Sequence, residues 1–166
     1  MITPAAYYRL VAKPAAEEFF QDNGNVRRAM LACMAVLHIV DHFVQGRSEV
    51  TDKASARQAD EEVERVTKEL SERHMFFAVV RAYALASKHA RIGLHRKFQA
   101  GFDSSRAIDR PPAFAGVMVA GISFAGDTVG GVTVQWAEQT HVNLTRALRA
   151  LLPILEAEFP ELVADV

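Results

Sequence analysis

The chain has 166 residues, of which 50% are hydrophobic and 23% are charged, and its formal net charge at pH 7 is −1. This length suits one domain with a substantial core, and the composition excludes an intrinsically disordered chain. A net charge close to zero excludes a general electrostatic attraction to nucleic acid or to an anionic membrane surface. The N-terminus lacks the basic-then-apolar order of a signal peptide. We therefore expect a single cytoplasmic domain over residues 1–166.

The first predicted helix begins at Thr3-Pro4, because threonine is a favoured N-cap and proline a favoured first helical residue. It runs to about Gln21. We expect an interruption near Pro14, since proline has no backbone N–H to donate to the helical ladder.

The second predicted helix covers residues 26–45, between a capping Asn25 and a terminating Gly46. It is apolar nearly all round from Ala29 to Leu37. Such a pattern is typical of a central, buried helix, so this segment should form the middle of the core.

The segment at residues 47–73 is the polar third of the chain. Opposite charges recur there at helical spacing, as in Glu61–Arg65 and Glu64–Lys68. Its apolar positions are few, namely Val63, Val66 and Leu70. This pattern predicts a surface helix that covers the core with one narrow face.

The C-terminal half changes from helical to strand-like patterns. Residues 75–90 predict a second strongly apolar helix, and residues 117–124 and 129–136 have the composition of strands. We expect an antiparallel hairpin at about 115–136, with a final helix beginning near Ala137. In the second strand, apolar residues that should face the helices alternate with polar ones: Val132, Val134 and Trp136 with Thr133 and Gln135. The predicted fold class is therefore mainly α, an antiparallel helical bundle with a β-hairpin inserted before the last helix.

A first polar cluster closes the apolar run of the second helix. His38 and His42 are four residues apart, about 40° around a helix axis, with Asp41 on an adjoining sector. This spacing can offer two imidazoles to one metal ion. A third ligand would have to come from elsewhere in the chain, with the candidates His74, His89 and His141. A metal-binding helical protein is therefore one interpretation, although two histidines alone lead us to expect no metal cofactor.

A second polar cluster lies in the apolar helix at residues 75–90. Arg81 and Lys88 are seven residues apart, so they return to nearly the same side of a helix about 10 Å apart. His89 occupies the neighbouring sector. Asp41 is the natural counter-ion if the two apolar helices pack against each other, because an isolated buried cation is costly. The cluster is either an ion-pair network that fixes helix register or a site that binds phosphate.

Two short motifs carry a resemblance to known proteins. The His-x-x-Asp motif is His38-Ile39-Val40-Asp41, and the second motif runs from Arg81 to Lys88-His89. In this order the motifs are similar to those of a group of small, uncharacterised bacterial proteins, which implies an architecture and no known activity. The Arg81-to-His89 motif is also distantly similar to that of HEPN domains, helical bundles in which an arginine and a histidine serve RNA cleavage or nucleotide chemistry.

These observations leave three functional interpretations open. The first is a binding or regulatory module that uses His38, Asp41, His42 and Lys88 to hold a small anion or nucleotide. One expectation for such a module is that it forms a homodimer. The second is a HEPN-like enzyme acting on RNA or on nucleotide phosphates, in which the resemblance implies that Arg81 stabilises phosphate charge and His89 is the acid/base. The third is the metal site described above. We expect no cofactor and no membrane partner, and nucleic acid stays an open partner.

Overall fold

The computed structural model describes residues 2–88, 108–109, 131–136 and 140–164. Its helices, in chain order, are α1 (Pro4–Tyr7), a π-helical turn (Tyr8–Ala12), α2 (Lys13–Gln21), α3 (Val26–Arg47), α4 (Lys53–Arg73), α5 (Met75–Lys88), α6 (Leu144–Glu158) and a short 3₁₀ helix (Pro160–Leu162). Its strands are β1 (Ile108–Asp109), β2 (Thr133–Trp136) and β3 (Thr140–Asn143). The predicted fold class, mainly helical with a hairpin before the last helix, is confirmed.

The N-terminal segment is helical with a change of geometry in the middle. Thr3 caps α1 by accepting the N–H of Ala6 at 3.2 Å. The expected interruption near Pro14 takes the form of the π-helical turn, at whose end Lys13 N–H bonds to Tyr8 O, five residues back. Pro14 has no N–H to donate to the carbonyl four residues before it. The π-helical turn, which is wider than an α-helical turn, changes the spacing of the backbone hydrogen bonds just before the position of this missing bond.

Helix α3 is the central element of the bundle and packs against α1, α2, α4 and α5. Eight of its residues are buried. Its 22 residues would be long and apolar enough to cross a membrane by length and composition alone, a property that the core helices of soluble bundles share. Asn25 caps it as predicted, accepting the N–H of Arg28 at 3.2 Å. The predicted end at Gly46 is wrong, because the helix continues to Arg47; a single glycine costs only about 1 kcal/mol in a helix.

Helix α4 is the predicted surface helix, and ion pairs run along its exposed face. Asp52 and Ser55 form a capping box at its start. Its exposed ion pairs are Arg57–Glu61, Arg65–Glu62, Arg65–Glu69 and Lys68–Glu72. These pairs have the three- and four-residue spacing at which the sequence places opposite charges. Several partners stand at equivalent helical spacings on such a charged surface, so sequence spacing does not select among them.

The described strands form one antiparallel sheet in the order β1-β2-β3. Strand β2 pairs with β3 so that Val134 faces Val142, and this hairpin at residues 133–143 directly precedes α6. The predicted strand at residues 117–124 lies outside the described residues. The predicted helix start near Ala137 is wrong: α6 begins at Leu144, because residues 140–143 form β3.

The burial of β2 follows the predicted alternation only in part. Val132 and Val134 are fully buried in the core, as expected, and Gln135 is exposed. Thr133 was expected on the outer face but is also buried. The turn before α3 reaches this end of the strand, where Val132 N–H donates to Asn23 O at 2.9 Å.

Candidate functional site

A cleft of about 440 Å³ opens between α3, α4 and α5. We call it the α3–α4–α5 cleft. Ten described residues line it: Met34, Leu37, His38 and Asp41 from α3, Val63, Glu64 and Thr67 from α4, and Arg81, Ala84 and Leu85 from α5. On each helix these residues are spaced by one, three or four positions, so each helix presents one face to the cleft.

The lining divides into an apolar part and a polar part. The apolar part consists of Met34, Leu37, Val63, Ala84 and Leu85. The polar part brings together residues from both predicted clusters, His38 and Asp41 from the first and Arg81 from the second. The prediction that α3 and α5 pack side by side is confirmed, and these three residues line the same cleft. The pairing of Asp41 with Arg81 or Lys88 stays a prediction.

Arg81 lies at the inner end of the polar part. Only 6% of the residue is exposed, and its Nη2 donates to Oε1 of Glu64 at 2.8 Å. The structure thus supplies a partner from α4 that the sequence analysis missed. The sequence contains a weak indication of this partner. Glu64 directly follows Val63 and lies three residues before Thr67, which is buried, so it stands at the edge of the inward-facing stripe of α4.

His38 and Asp41 lie in the part of the cleft that reaches solvent. Their side chains are 56% and 38% exposed, and His38 Nε2 lies 4.0 Å from Asp41 Oδ2. That separation is an ion-pair distance for a protonated imidazole and is too long for a hydrogen bond. Both side chains can therefore meet a ligand without first leaving the protein core.

His42 does not join His38 in the cleft. Its ring stacks on that of Tyr7 in α1, with centroids 3.9 Å apart and an angle of 25° between the planes. The Tyr7 hydroxyl donates to Ala35 O at 3.2 Å, which fixes the phenol against α3. Burial is the main reason that the pKa of His42 lies below its ordinary value; neighbouring Asp41 opposes this shift and His38 adds to it.

The histidines that the sequence offered as further metal ligands are dispersed in the described structure. His74 Nε2 lies 3.2 Å from Oε1 of Glu158 at the end of α6, and Arg73 donates two hydrogen bonds to the same carboxylate. The Arg73 hydrogen bonds are the largest cause of the lowered pKa of Glu158. His141 lies in β3. Among residues 2–88, 108–109, 131–136 and 140–164, no group of three His, Cys, Asp or Glu side chains is arranged to hold a metal ion.

The remaining predicted site residues fall at the edge of the described structure. Lys88 is the last residue of α5, three positions after the cleft-lining Leu85. The side chain of Lys88 and the whole of His89 lie outside the described residues. The predicted pairing of Arg81 with His89 in phosphate chemistry therefore stays a prediction.

Two buried groups near the centre of the bundle belong to the core rather than to the cleft. Cys33 is fully buried, and burial raises the pKa of its thiol, so it is the small buried hydrophobe that the sequence predicted. Tyr83 is also fully buried, and its hydroxyl has no hydrogen-bond partner within the part of the chain that the structure describes. Burial, followed by the nearby Cys33, raises the pKa of that phenol.

Comparisons of the chain with protein-family models, with curated proteins and with solved structures find no match. The functional argument therefore rests on the geometry of the chain itself.

Proposed function

We propose that this protein is a binding module that holds a small organic ligand in the α3–α4–α5 cleft. The observation that carries the proposal is the convergence of His38, Asp41, Glu64 and Arg81, from three different helices, beside a continuous apolar surface in one concavity. Ligand sites in proteins typically combine a mostly apolar lining with a few convergent polar groups in a volume of about 300–1,000 Å³. The cleft, at about 440 Å³, has this combination and this size.

A purely structural role accounts for only part of this arrangement. The buried Arg81–Glu64 pair would by itself fix the relative position of α4 and α5. That role does not require the neighbouring side chains of His38 and Asp41 to remain open to solvent. It also leaves unexplained why Met34 and Leu37 stay half-exposed in the concavity rather than being covered by a larger side chain. A ligand that covers this apolar surface and contacts the polar groups accounts for the exposure of all four side chains, His38, Asp41, Met34 and Leu37.

The side-chain NMR signals of the histidine rings provide a direct test. The protein has six histidines, and among those that the structure describes His38 is the one that lines the cleft. The His38 ring signal is identified as the one that is missing from the spectrum of the His38→Gln variant. We expect mixtures of small amphiphilic fragments to shift the His38 signal while the signal of His42, stacked on Tyr7, stays in place.

The same experiment can reject the proposal. If no fragment in a chemically broad library moves the His38 signal, or if every fragment that does so moves the His42 and His74 signals equally, the cleft is not a ligand site. A variant that fills the apolar part, Met34→Trp, supplies the control: it should abolish the fragment-induced shifts while circular dichroism shows the same helix content.

A further inference from the structure

We infer that the α3–α4–α5 cleft takes its ligand by an apolar chain that enters end-on, and that Ala84, at the floor of the cleft, limits the length of that chain. The inference rests on the proposed function: it gives the ligand a chemical class and makes Ala84 a specificity-determining residue. Its basis is the difference in burial among the residues that line the cleft.

The lining residues of the three helices are buried to different degrees. Thr67 of α4 and Arg81 and Ala84 of α5 line the cavity although they are only 5%, 6% and 4% exposed. The lining residues of α3, in contrast, are half-buried or exposed. A residue with so little accessible surface meets the cavity at its closed end rather than at its mouth. Thr67, Arg81 and Ala84 therefore form the floor of the cleft, and the residues of α3 belong to its rim.

Both polar side chains of the floor have a partner within the protein. Thr67 Oγ1 donates to Val63 O at 2.5 Å, a hydrogen bond within α4, and Arg81 Nη2 donates to Glu64 Oε1 at 2.8 Å. A buried polar group without a partner would require a polar ligand atom, whereas a paired group does not. Ala84 adds only a methyl group to this floor. The end of a ligand that reaches the floor is therefore best matched when it is apolar.

The small side chain of Ala84 determines how deep the cleft is. Alanine is the smallest residue among the described lining residues, and it stands between Arg81 and Leu85 on the lining face of α5. Each methylene group that a ligand buries raises the affinity about three- to fourfold. This gain ends where the chain meets the floor, because a close-packed interior leaves no room for further atoms. A larger side chain at position 84 should therefore end the gain at a shorter chain.

NMR of the protein with isotope-labelled alanine methyl groups tests the position of the ligand directly. The Ala84 signal is the one that is missing from the spectrum of the Ala84→Val variant. Ala82, two residues away on α5, is fully buried and does not line the cleft, so its methyl group is the internal control. We expect nuclear Overhauser contacts from the terminal methyl group of hexanol to the Ala84 methyl group and none to that of Ala82.

A series of linear alcohols from butanol to octanol tests the length limit. These compounds are neutral, so the charges of the cleft do not enter the comparison, and the His38 ring signal gives the affinity of each. We expect the affinity to rise about three- to fourfold per carbon up to a certain length and then to stay constant. In Ala84→Val the rise should end at a shorter alcohol, because the added carbon atoms raise the floor.

Ala150→Val is the matched control for this variant. Ala150 is half-buried in α6 and does not line the cleft, so the same substitution there should leave the length limit of the wild type unchanged. Circular dichroism compares the helix content of the two variants. If Ala84→Val does not fold, the nuclear Overhauser contacts in the wild type decide, because they require no substitution in the protein that is measured.

The outcomes separate this inference from the proposed function. If the alcohols move the His38 signal but make no contact with the Ala84 methyl group, or if the length limit is the same in Ala84→Val and the wild type, the role of Ala84 is wrong and the cleft remains a ligand site. If no alcohol moves the His38 signal and the fragment library also fails, the proposed function is wrong and the inference fails with it.

Discussion

His38 and His42 stand one helical turn apart on α3, yet the structure gives them opposite environments. His38 is more than half exposed and lies in the α3–α4–α5 cleft, whereas His42 stacks on Tyr7 against α1. The difference arises because α3 is surrounded by neighbours, so a rotation of about 40° between the two positions is enough to change which helix a side chain meets. A histidine pair at this spacing therefore indicates a shared metal site only if both positions face the same groove.

The largest expected effect concerns the buried cation of the cleft. Arg81→Ala removes the partner of Glu64 from a site where the arginine is 6% exposed. We expect the free energy of unfolding to fall by about 3 kcal/mol, the lower end of the range for a broken buried pair, since Glu64 is itself partly exposed. Urea denaturation of the variant and the wild type measures this loss.

Arg65→Ala is the matched control for that prediction. Arg65 also pairs with glutamates, Glu62 and Glu69, but at the surface of α4, where its side chain is 56% exposed. This variant should lose much less stability than Arg81→Ala, because exposed ion pairs contribute little. Equal losses in the two variants, or an Arg81→Ala protein as stable as the wild type, would show that Arg81 does not hold the bundle together and would leave ligand contact as its role.

An intermediate effect is expected from the stack of His42 on Tyr7. His42→Ala removes an aromatic contact at 3.9 Å between ring centroids and should cost about 1–2 kcal/mol of unfolding free energy. His38→Ala, one turn earlier in the same helix, should change the stability by less than about 0.5 kcal/mol because His38 is exposed. Parallel thermal melts of the two variants measure the difference, and a reversed order would contradict the assignment of His42 to the core and His38 to the cleft.

A smaller effect of known sign follows from the pKa of His42. Burial lowers this pKa in the folded protein, so the unfolded chain binds the proton more readily. The contribution of His42 to stability should therefore be complete above the unfolded-state pKa of about 6.5 and should decrease as the pH falls below it. His42→Phe keeps an aromatic ring against Tyr7 and removes the titration. Melting temperatures between pH 7.5 and 5.5 should fall more for the wild type than for His42→Phe; equal slopes would exclude His42 as the source.

The sequence predicted the helical elements well because their signals are local and repeated. The cap at Asn25, the apolar run from Ala29 to Leu37 and the charged surface of α4 each follow from short-range chemistry. Strand β3 was missed because it has only four residues, Thr140 to Asn143, directly before the leucine-rich α6. A strand this short offers too few residues for an alternation to be distinguished from the start of the following helix.

The candidate site was only half predictable, for a different physical reason. The apolar patterns of α3 and α5 correctly indicated that the two helices pack against each other. The cost of burying a charge correctly indicated that Arg81 would have a partner, whereas His38 and Asp41 are partly exposed. The same argument could not identify Glu64 as the partner of Arg81, because α4 contains many carboxylates at equivalent helical spacings. It also could not separate His38 from His42, since the arrangement of the neighbouring helices, and not the spacing, determines which groove each ring enters.

The smallest expected effect is that of metal removal. The two histidines that suggested a metal site lie in different environments, and His74 is held by Glu158 at 3.2 Å. Two separated imidazoles fall short of the three or four ligands that a zinc site requires. We expect the purified protein to carry less than one equivalent of zinc, iron or manganese, and we expect prolonged treatment with a chelator to leave its melting temperature unchanged. Elemental analysis before and after dialysis checks both points. One equivalent of metal that survives dialysis, together with a loss of stability on chelation, would contradict this expectation and would favour a metal centre.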